Sequence, residues 1–210
     1  RTVRTLTAQV EGSQVEGCRT RRVPEAGLVA GTPVSVRVGA GDSSNNAFTI
    51  VTMNIRTDIA DPLERLRAIH RSSTVAKESM EGLNKKAAIN VGALTFAPYV
   101  AQGLLGVAGR MTPPYNLVLS NVPGALERQY LAGSELEMMA PLGLLSHGQG
   151  LFIAALTISG RMGIGFVGDR DTLPHLQHLA VYTGAALDEL EKLVLPTTVR
   201  RLRAKSQPKQ

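Results

Sequence analysis

The sequence predicts an α/β domain in which helices are layered on a mixed β-sheet. Three observations indicate this class. Two strand-like segments near the start precede two helical segments, and a second run of strands precedes a last amphipathic helix. Hydrophobic residues make up 43% of the 210, which suffices for the core of one ordinary domain or two small ones. The predicted element order is β-β-α-α-β-β-β-β-α.

The first two strands are predicted by alternation and by the polar segment between them. Pro33–Val38 alternates, with its three valines on one face. Gly39–Asn46 is rich in Gly, Asp, Ser and Asn, which is typical of a loop. Ala47–Ile55 is then the second strand of the pair.

A helix is predicted over Asp58–Met80. Asp58 or Asp61 can accept hydrogen bonds as its N-cap, and Pro62 suits its first turn. Helical periodicity places one set of side chains near a common face of this helix and the arginines away from that face. The face carries Leu63, Leu66, Ile69 and Ser73, and the arginines are Arg65, Arg67 and Arg71.

The next segment, Ala87–Gly109, contains 23 residues without a charge. Its length suits a bilayer span, but its Asn, Gln, Pro and glycine content does not. Because proline removes a helical hydrogen bond, we expect a pair of helices broken at Pro98, buried or lying at an interface. Lys85-Lys86 precedes the segment and Arg110 follows it.

A buried strand is predicted over Tyr115–Leu119, ending at a turn. Pro123-Gly124 stops it, because proline cannot donate to a ladder and glycine tolerates positive φ. Ser120 and Asn121 would then lie at the carboxyl end of the strand. Their hydroxyl and carboxamide can hold an oxygen or a thioester in place, although neither readily abstracts a proton. The tetrapeptide Asn-Val-Pro-Gly is also a good structural turn by itself.

The last elements are a short strand, a hairpin and a helix. Glu135–Met139 is the short strand, and Leu151–Ile158 and Met162–Val167 flank the two-residue loop Ser159-Gly160. Asp171–Leu195 is an amphipathic helix with Asp171 as its N-cap. Its expected buried stripe is Leu176, Leu179, Leu187, Leu190 and Val194.

Charge divides the chain into a body and two basic ends. Five Arg and two Glu give residues 1–22 a net charge of +3, and five Lys or Arg give residues 200–210 a net charge of +5. We expect a divergent or disordered arm over 1–30, a domain over 31–196 and a disordered tail over 197–210. The tails lack interleaved aromatic residues, which argues against nucleic-acid binding. A single cysteine, Cys18, excludes an internal disulfide and fits a cytoplasmic setting.

Several segments together resemble the C-terminal half of the bacterial wax ester synthase/diacylglycerol acyltransferase family, known as WS/DGAT, over roughly residues 30 to 195. The order and spacing of these segments make the resemblance specific. They are Pro33–Arg37, Thr57–His70, Asn116-x-x-x-Ser120-Asn121-Val-Pro123-Gly124, Tyr130–Gly133, Pro141–Leu151 and Gly168–Asp171.

The resemblance implies a lobe of the chloramphenicol-acetyltransferase-like fold of CoA-dependent acyltransferases. It implies diacylglycerol O-acyltransferase activity in triacylglycerol synthesis, with acyl-CoA as a substrate and no cofactor. Diacylglycerol or a fatty alcohol would be the acceptor, and contact with the inner membrane surface or a lipid droplet would be peripheral. It implies that one wall of a substrate tunnel carries Asn116, Ser120, Asn121, Pro123, Gly124, His147 and Gln149.

Enzymes that this chain resembles carry a His-His-x-x-x-Asp-Gly motif whose second histidine is the general base. No such motif occurs in the 210 residues. We therefore expect a separate N-terminal lobe to supply the base and the chain itself to contribute no catalytic residue. The alternative is a lipid- or CoA-binding remnant of such an enzyme without catalysis.

Other candidate chemistry is weaker. His147 lies in a glycine-rich turn before a strand and faces either a ligand or solvent. His175 and His178 are spaced to share a metal, but no third ligand is evident, so a surface pair is favoured and no metal is expected. Cys18 has arginine neighbours but no adjacent base.

Overall fold

The computed structural model describes residues 26–35, 48–79, 85–107, 114–146 and 148–195. The strands are β1 (Val29–Ser35), β2 (Phe48–Asn54), β3 (Leu117–Pro123), β4 (Tyr130–Leu131), β5 (Ser134–Glu135), β6 (Leu151–Ile158) and β7 (Arg161–Gly168). The helices are α1 (Pro62–Glu78), α2 (Lys85–Leu104) and α3 (Gln177–Val194). The predicted loop Gly39–Asn46, Cys18, His147 and both basic ends lie outside these ranges.

Five strands form a mixed sheet in the order β2-β1-β3-β6-β7. β1 pairs antiparallel with β2 and parallel with β3, and β3 pairs parallel with β6. β6 and β7 are antiparallel and meet at Ser159 and Gly160, whose φ values of 49° and 74° are the left-handed pair that such a two-residue turn needs. The predicted fold class, the strand over Ala47–Ile55 and this hairpin are confirmed.

The core joins the centre of the sheet to the last helix. Ala30, Leu117, Leu151 and Leu179 are buried together, so β1, β3, β6 and α3 meet at one point. Register places Leu117 and Leu151 on the same side of the sheet as Ala30. We call this side the helix face and the other side the far face.

The far face is crossed by the extended segment between β5 and β6. A Cβ atom on Gly163 would meet the Met139 carbonyl, and one on Gly165 would meet the Pro141 carbonyl. A Cβ atom on Gly143 would meet the Phe152 ring of β6. The glycines of β7 therefore allow the 139–143 segment to contact the backbone of that strand, and Gly143 allows the same segment to contact the Phe152 ring. The strand predicted over Glu135–Met139 is wrong, because only Ser134–Glu135 pairs, with β4.

The first helix is confirmed, but its buried face differs from the predicted one. Asp61 is the N-cap, and its Oδ1 accepts a hydrogen bond of 2.7 Å from the Glu64 N–H. Leu66 is exposed, whereas Arg65 is only 6% exposed. Its guanidinium donates to the Ile59 and Ala60 carbonyls, each at 2.8 Å. The helical periodicity did not predict this burial, because the hydrocarbon part of an arginine side chain is apolar and the carbonyls of a neighbouring loop can accept hydrogen bonds from its guanidinium.

Arg65→Met is expected to destabilise the protein by about 2 kcal/mol, because two carbonyls lose their donor while the apolar stem is retained. Arg67 lies two residues away and is exposed. Arg67→Met should therefore change the free energy of unfolding by less than about 0.5 kcal/mol. Urea titration of both variants checks this. Equal effects would show that the hydrogen bonds of Arg65 add nothing.

The other two helices also correct the sequence prediction. α2 continues through Pro98 as one helix, so the predicted break at Pro98 is wrong. The proline removes one backbone hydrogen bond from the helix but does not end it. α3 begins at Gln177, and its N-cap position has no side-chain hydrogen bond, so Asp171 does not cap it. In its predicted buried stripe, Leu179 is buried but Leu187 and Val194 are exposed.

Candidate functional site

The strand that carries the Ser-Asn-Val-Pro-Gly segment is longer than predicted. β3 continues through Ser120 and Asn121 to Pro123, because all of these residues pair with β6. Its pairing with β1 ends at Val118, so from Leu119 onward it has a described partner on one side only. Proline is tolerated on such a half-paired strand. The predicted strand end at Leu119 is therefore wrong, whereas the predicted stop at Pro123-Gly124 is confirmed.

Ser120 and Asn121 lie on opposite faces of the sheet, since successive side chains alternate. Ser120 is half-buried on the far face, next to Ala154 of β6. Asn121 is exposed on the helix face, next to Ala155. Neither side chain makes a hydrogen bond to another described residue. Both polar groups can therefore receive a ligand without breaking an existing contact.

The helix face is open around Asn121. Register aligns Asn121 with Ala155 and Ile164, and Pro123 with Thr157 and Met162. We call these six residues the open strip. Ile164 is 40% exposed and Met162 is 61% exposed, whereas the core around Leu179 lies nearer the other end of the strands. The strip is thus a mostly apolar surface with one exposed carboxamide.

Gly124 follows the strip and is needed for close approach. A Cβ atom there would meet the Thr157 carbonyl, and Gly124 does not adopt the positive φ that glycine tolerates. The chain beyond it is fixed to the β6–β7 turn. The Ser159 N–H donates to the Ala125 carbonyl at 2.9 Å, and the Ser159 hydroxyl donates to the Glu127 carbonyl at 3.2 Å.

Asn116 lies at the other end of β3 and joins it to β1. Its Oδ1 accepts from the Val29 N–H at 2.8 Å, and its own N–H donates to the Val29 carbonyl at 2.8 Å. Five residues of strand separate Asn116 from Asn121, which is about 16 Å. Asn116 therefore extends the β1–β3 pairing and does not share a surface with the open strip.

Gln149 lies at the same end as Asn116 and is buried. Its Nε2 donates to the Tyr115 hydroxyl at 2.5 Å, and its Oε1 accepts from the Ser146 N–H at 3.2 Å. Tyr115 is also buried and lies against Gly31 of β1. Gln149 thus fixes the glycine-rich turn to the sheet, and His147, beside it in sequence, lies outside the described residues.

Six of the seven residues predicted from the sequence lie in the described part of the chain, and they fall into two groups. Ser120, Asn121, Pro123 and Gly124 belong to the second half of β3 and its exit. Asn116 and Gln149 hold the opposite end of the sheet. The open strip could not be found from the sequence, because its apolar members lie on β6 and β7 and only the strand register brings them beside Asn121.

The remaining candidates have ordinary contacts. Asp169 accepts from the Thr172 N–H at 3.0 Å and from its hydroxyl, which closes the turn after β7. The rings of His175 and His178 stack with their centroids 5.6 Å apart. Among the described residues, no three His, Cys, Asp or Glu side chains are grouped so that they could hold a metal ion.

No helix in the described part of the chain combines the length and the apolar character needed to span a bilayer.

The mixed five-stranded sheet with its helices has a CoA-acyltransferase-like fold, because it matches a solved enzyme with that fold. The structure matches the wax ester synthase/diacylglycerol acyltransferase from Marinobacter aquaeolei VT8 with a TM-score of 0.66 and 28% identity, covering 90% of this chain and 42% of that one. The family described as the WS/DGAT C-terminal domain matches residues 44–191. The chain therefore belongs to the WS/DGAT family.

Curated relatives support the same assignment. A Mycobacterium tuberculosis protein named for diacylglycerol O-acyltransferase activity is 40% identical over 171 residues, which is 80% of this chain and 34% of the relative. A Mycobacterium bovis protein named for the same activity is 35% identical over 174 residues, 83% of this chain and 39% of the relative. The chain thus spans between a third and two fifths of the length of these relatives.

Proposed function

We propose that the chain forms the C-terminal lobe of an acyl-CoA:diacylglycerol O-acyltransferase that makes triacylglycerol. The observation that carries the proposal is the match of residues 44–191 to the WS/DGAT C-terminal domain, together with relatives named for this activity. Ser120 and Asn121 support it, since both are polar, make no side-chain hydrogen bond to a described residue and lie on opposite faces of a half-paired strand. The acyl donor is acyl-CoA, and the acceptor is diacylglycerol or a fatty alcohol.

The reaction joins an alcohol oxygen to the thioester carbonyl carbon. The C–O bond forms, the C–S bond breaks, and the CoA thiolate takes up the proton that a base removes from the alcohol. An unactivated hydroxyl is a weak acid, so a placed base is needed. We assign that base to a lobe with the His-His-x-x-x-Asp-Gly motif, either joined to this chain or separate, and no cofactor to the reaction.

In this proposal, the open strip is the wall against which acyl or lipid chains lie. Ala155, Ile164 and Met162 offer apolar surface, and the Asn121 carboxamide offers one donor and one acceptor at its edge. A single polar group in apolar surroundings orients a ligand more than it strengthens binding. Asn121 is therefore a substrate-positioning residue, whereas Asn116 and Gln149 support the sheet. The setting is the cytoplasm, with peripheral contact at the inner membrane surface or a lipid droplet.

Asn121→Ala tests the proposal in the completed enzyme, by which we mean this chain together with a lobe that carries the His-His-x-x-x-Asp-Gly motif. The measurement is triacylglycerol formation from labelled acyl-CoA. We expect kcat/KM to fall by at least about tenfold, the effect of one lost hydrogen bond to the transition state, with little change in stability. Asn116→Ala is the matched control from the same strand. It should lower stability by about 1 kcal/mol and leave kcat of the folded enzyme unchanged.

Two outcomes would contradict the proposal. If the completed enzyme forms no acyl ester from diacylglycerol or fatty alcohol yet binds acyl-CoA, the chain is the non-catalytic binding remnant. If Asn116→Ala lowers kcat/KM of the folded enzyme as much as Asn121→Ala does, the open strip has no special role in transfer.

A further inference from the structure

Helix α2 presents an uncharged, apolar face to solvent. Leu94 is 78% exposed and Leu104 is 85% exposed. Helical spacing places both on one side with Ala97 and Ala101 between them, and Val100 is at its margin. The sequence has no charged residue from 87 to 109. A helix face of this kind is rarely left in water on a soluble domain.

The opposite side of α2 is already packed on the sheet. Gly92 lies so close to Thr49 of β2 that a Cβ atom would meet the threonine hydroxyl. Gln102 is buried on the same helix. The orientation of α2 is therefore fixed, and its leucines are turned away from the core by packing on β2.

A second exposed apolar surface has a different composition. It surrounds the β4–β5 hairpin and carries Tyr130, Leu131 and Met138, with the ion pair of Arg128 and Glu135 at its margin. Aromatic residues and methionine with a charged rim are typical of a protein–protein interface. The exposed, described side chains of α2 instead are leucine, valine and alanine, apart from Asn90 and Lys86 near its start. Such a face has little to specify a protein partner but suits acyl chains.

Positive charge accompanies the helix. Lys86 is exposed at its start, next to Lys85, which is the first residue of the helix, and Arg110 follows the helix in the sequence. The neighbouring helix α1, which also packs on β2, carries exposed Arg67, Arg71 and Lys77 against exposed Glu64 and Glu78. α3 has the opposite character, with Asp188, Glu189 and Glu191 against one lysine. Cations beside an apolar helix face complement a surface of anionic phospholipid headgroups.

We propose that α2 docks on an anionic phospholipid bilayer, with Leu94 and Leu104 among the acyl chains and the flanking lysines at the headgroups. The helix lies in the plane of the interface and does not span it. The role of this docking, which is to bring the lobe to an acceptor in the membrane, rests on the proposed function. Binding itself is measurable without any reaction.

Flotation of the full 210-residue chain with phosphatidylcholine vesicles, with and without phosphatidylglycerol, tests the proposal. We expect binding to vesicles that contain phosphatidylglycerol and at least about tenfold weaker binding for the Leu94→Asp, Leu104→Asp double variant. Val181→Asp is the matched control, because Val181 is 68% exposed on the acidic helix α3. It should bind within about twofold of the unmodified chain.

Three outcomes would overturn the proposal. The first is no binding of the unmodified chain to anionic vesicles, and the second is equal binding by the double variant. The third is a dimer of the unmodified chain that the double variant loses, which would make a second copy the occupant. Circular dichroism confirms that each variant is folded before it is compared.

The two proposals fail separately. In the completed enzyme, the double variant should keep transfer to detergent-dispersed diacylglycerol and lose transfer to vesicle-borne diacylglycerol. Loss in both forms would contradict the docking role of α2. Vesicle binding by an enzyme that never forms triacylglycerol would leave the docking proposal standing and contradict the proposed function.

Discussion

Adding a lobe that bears His-His-x-x-x-Asp-Gly is expected to raise the acyl-transfer rate of this chain by about 10²–10⁴-fold. The reason is that a base must remove the proton of the alcohol before its oxygen attacks the thioester. None of the four histidines of the chain is adjacent to another, and the described ones are exposed: His70 on α1, and His175 and His178 at the start of α3. None of these three lies on the second half of β3, where Ser120 and Asn121 are.

The measurement is triacylglycerol formed from labelled acyl-CoA, with the lobe added as a separate protein and as a fusion. The control is the same lobe with alanine in place of the second histidine of its motif. This variant lobe should still bind to the chain but should not raise the rate of acyl transfer. Turnover of long-chain acyl-CoA by the chain alone, at the rate of the completed enzyme, would contradict the proposed division of roles.

Local chemistry made part of this fold predictable from sequence. Asp61 with Pro62 marks a helix start, and Ser159-Gly160 forms a left-handed turn between two strands, whatever the rest of the chain does. The order of strands and helices followed from such signals, and the layered mixed sheet followed from that order. These predictions held because the interactions concerned span only a few residues.

Predictions failed where distant residues decide the structure. Leu119 reads as the last residue of the strand, but pairing with β6, about 35 residues further on, extends the strand to Pro123. Arg65 reads as a surface residue, but the loop before α1 supplies carbonyls for it. The candidate site was affected in the same way. Asn116 and Asn121 are close in sequence yet about 16 Å apart along β3, because a strand is extended.

The open strip shows the same limit in a functional setting. Its polar member, Asn121, was identified from sequence, but its apolar members Ile164 and Met162 are about 40 residues away and belong to a hairpin with no distinguishing motif. Only the register of β3, β6 and β7 places them together. A site composed of two residues from each of three strands cannot be identified from any single segment of the sequence.

Gly165→Ala is expected to be the most destabilising Gly→Ala substitution in β7, at about 3 kcal/mol. Its Cβ atom would collide with the Pro141 carbonyl, a backbone atom that no side-chain rotation can move. The segment that covers the far face would have to lift, and the contact of Gly143 with the Phe152 ring would loosen. Because a domain of this size loses about 2–4 °C per kcal/mol, Tm should fall by about 10 °C.

Gly103→Ala is the matched control, since it adds the same methyl group where no atom lies within 4 Å of the new Cβ. Gly103 is within α2, where alanine is favoured over glycine by about 1 kcal/mol, so this variant should be slightly more stable. Thermal and urea unfolding of both variants give the comparison. If the two variants shift stability in the same direction by the same amount, the packing of the 139–143 segment on β7 does not hold the far face closed.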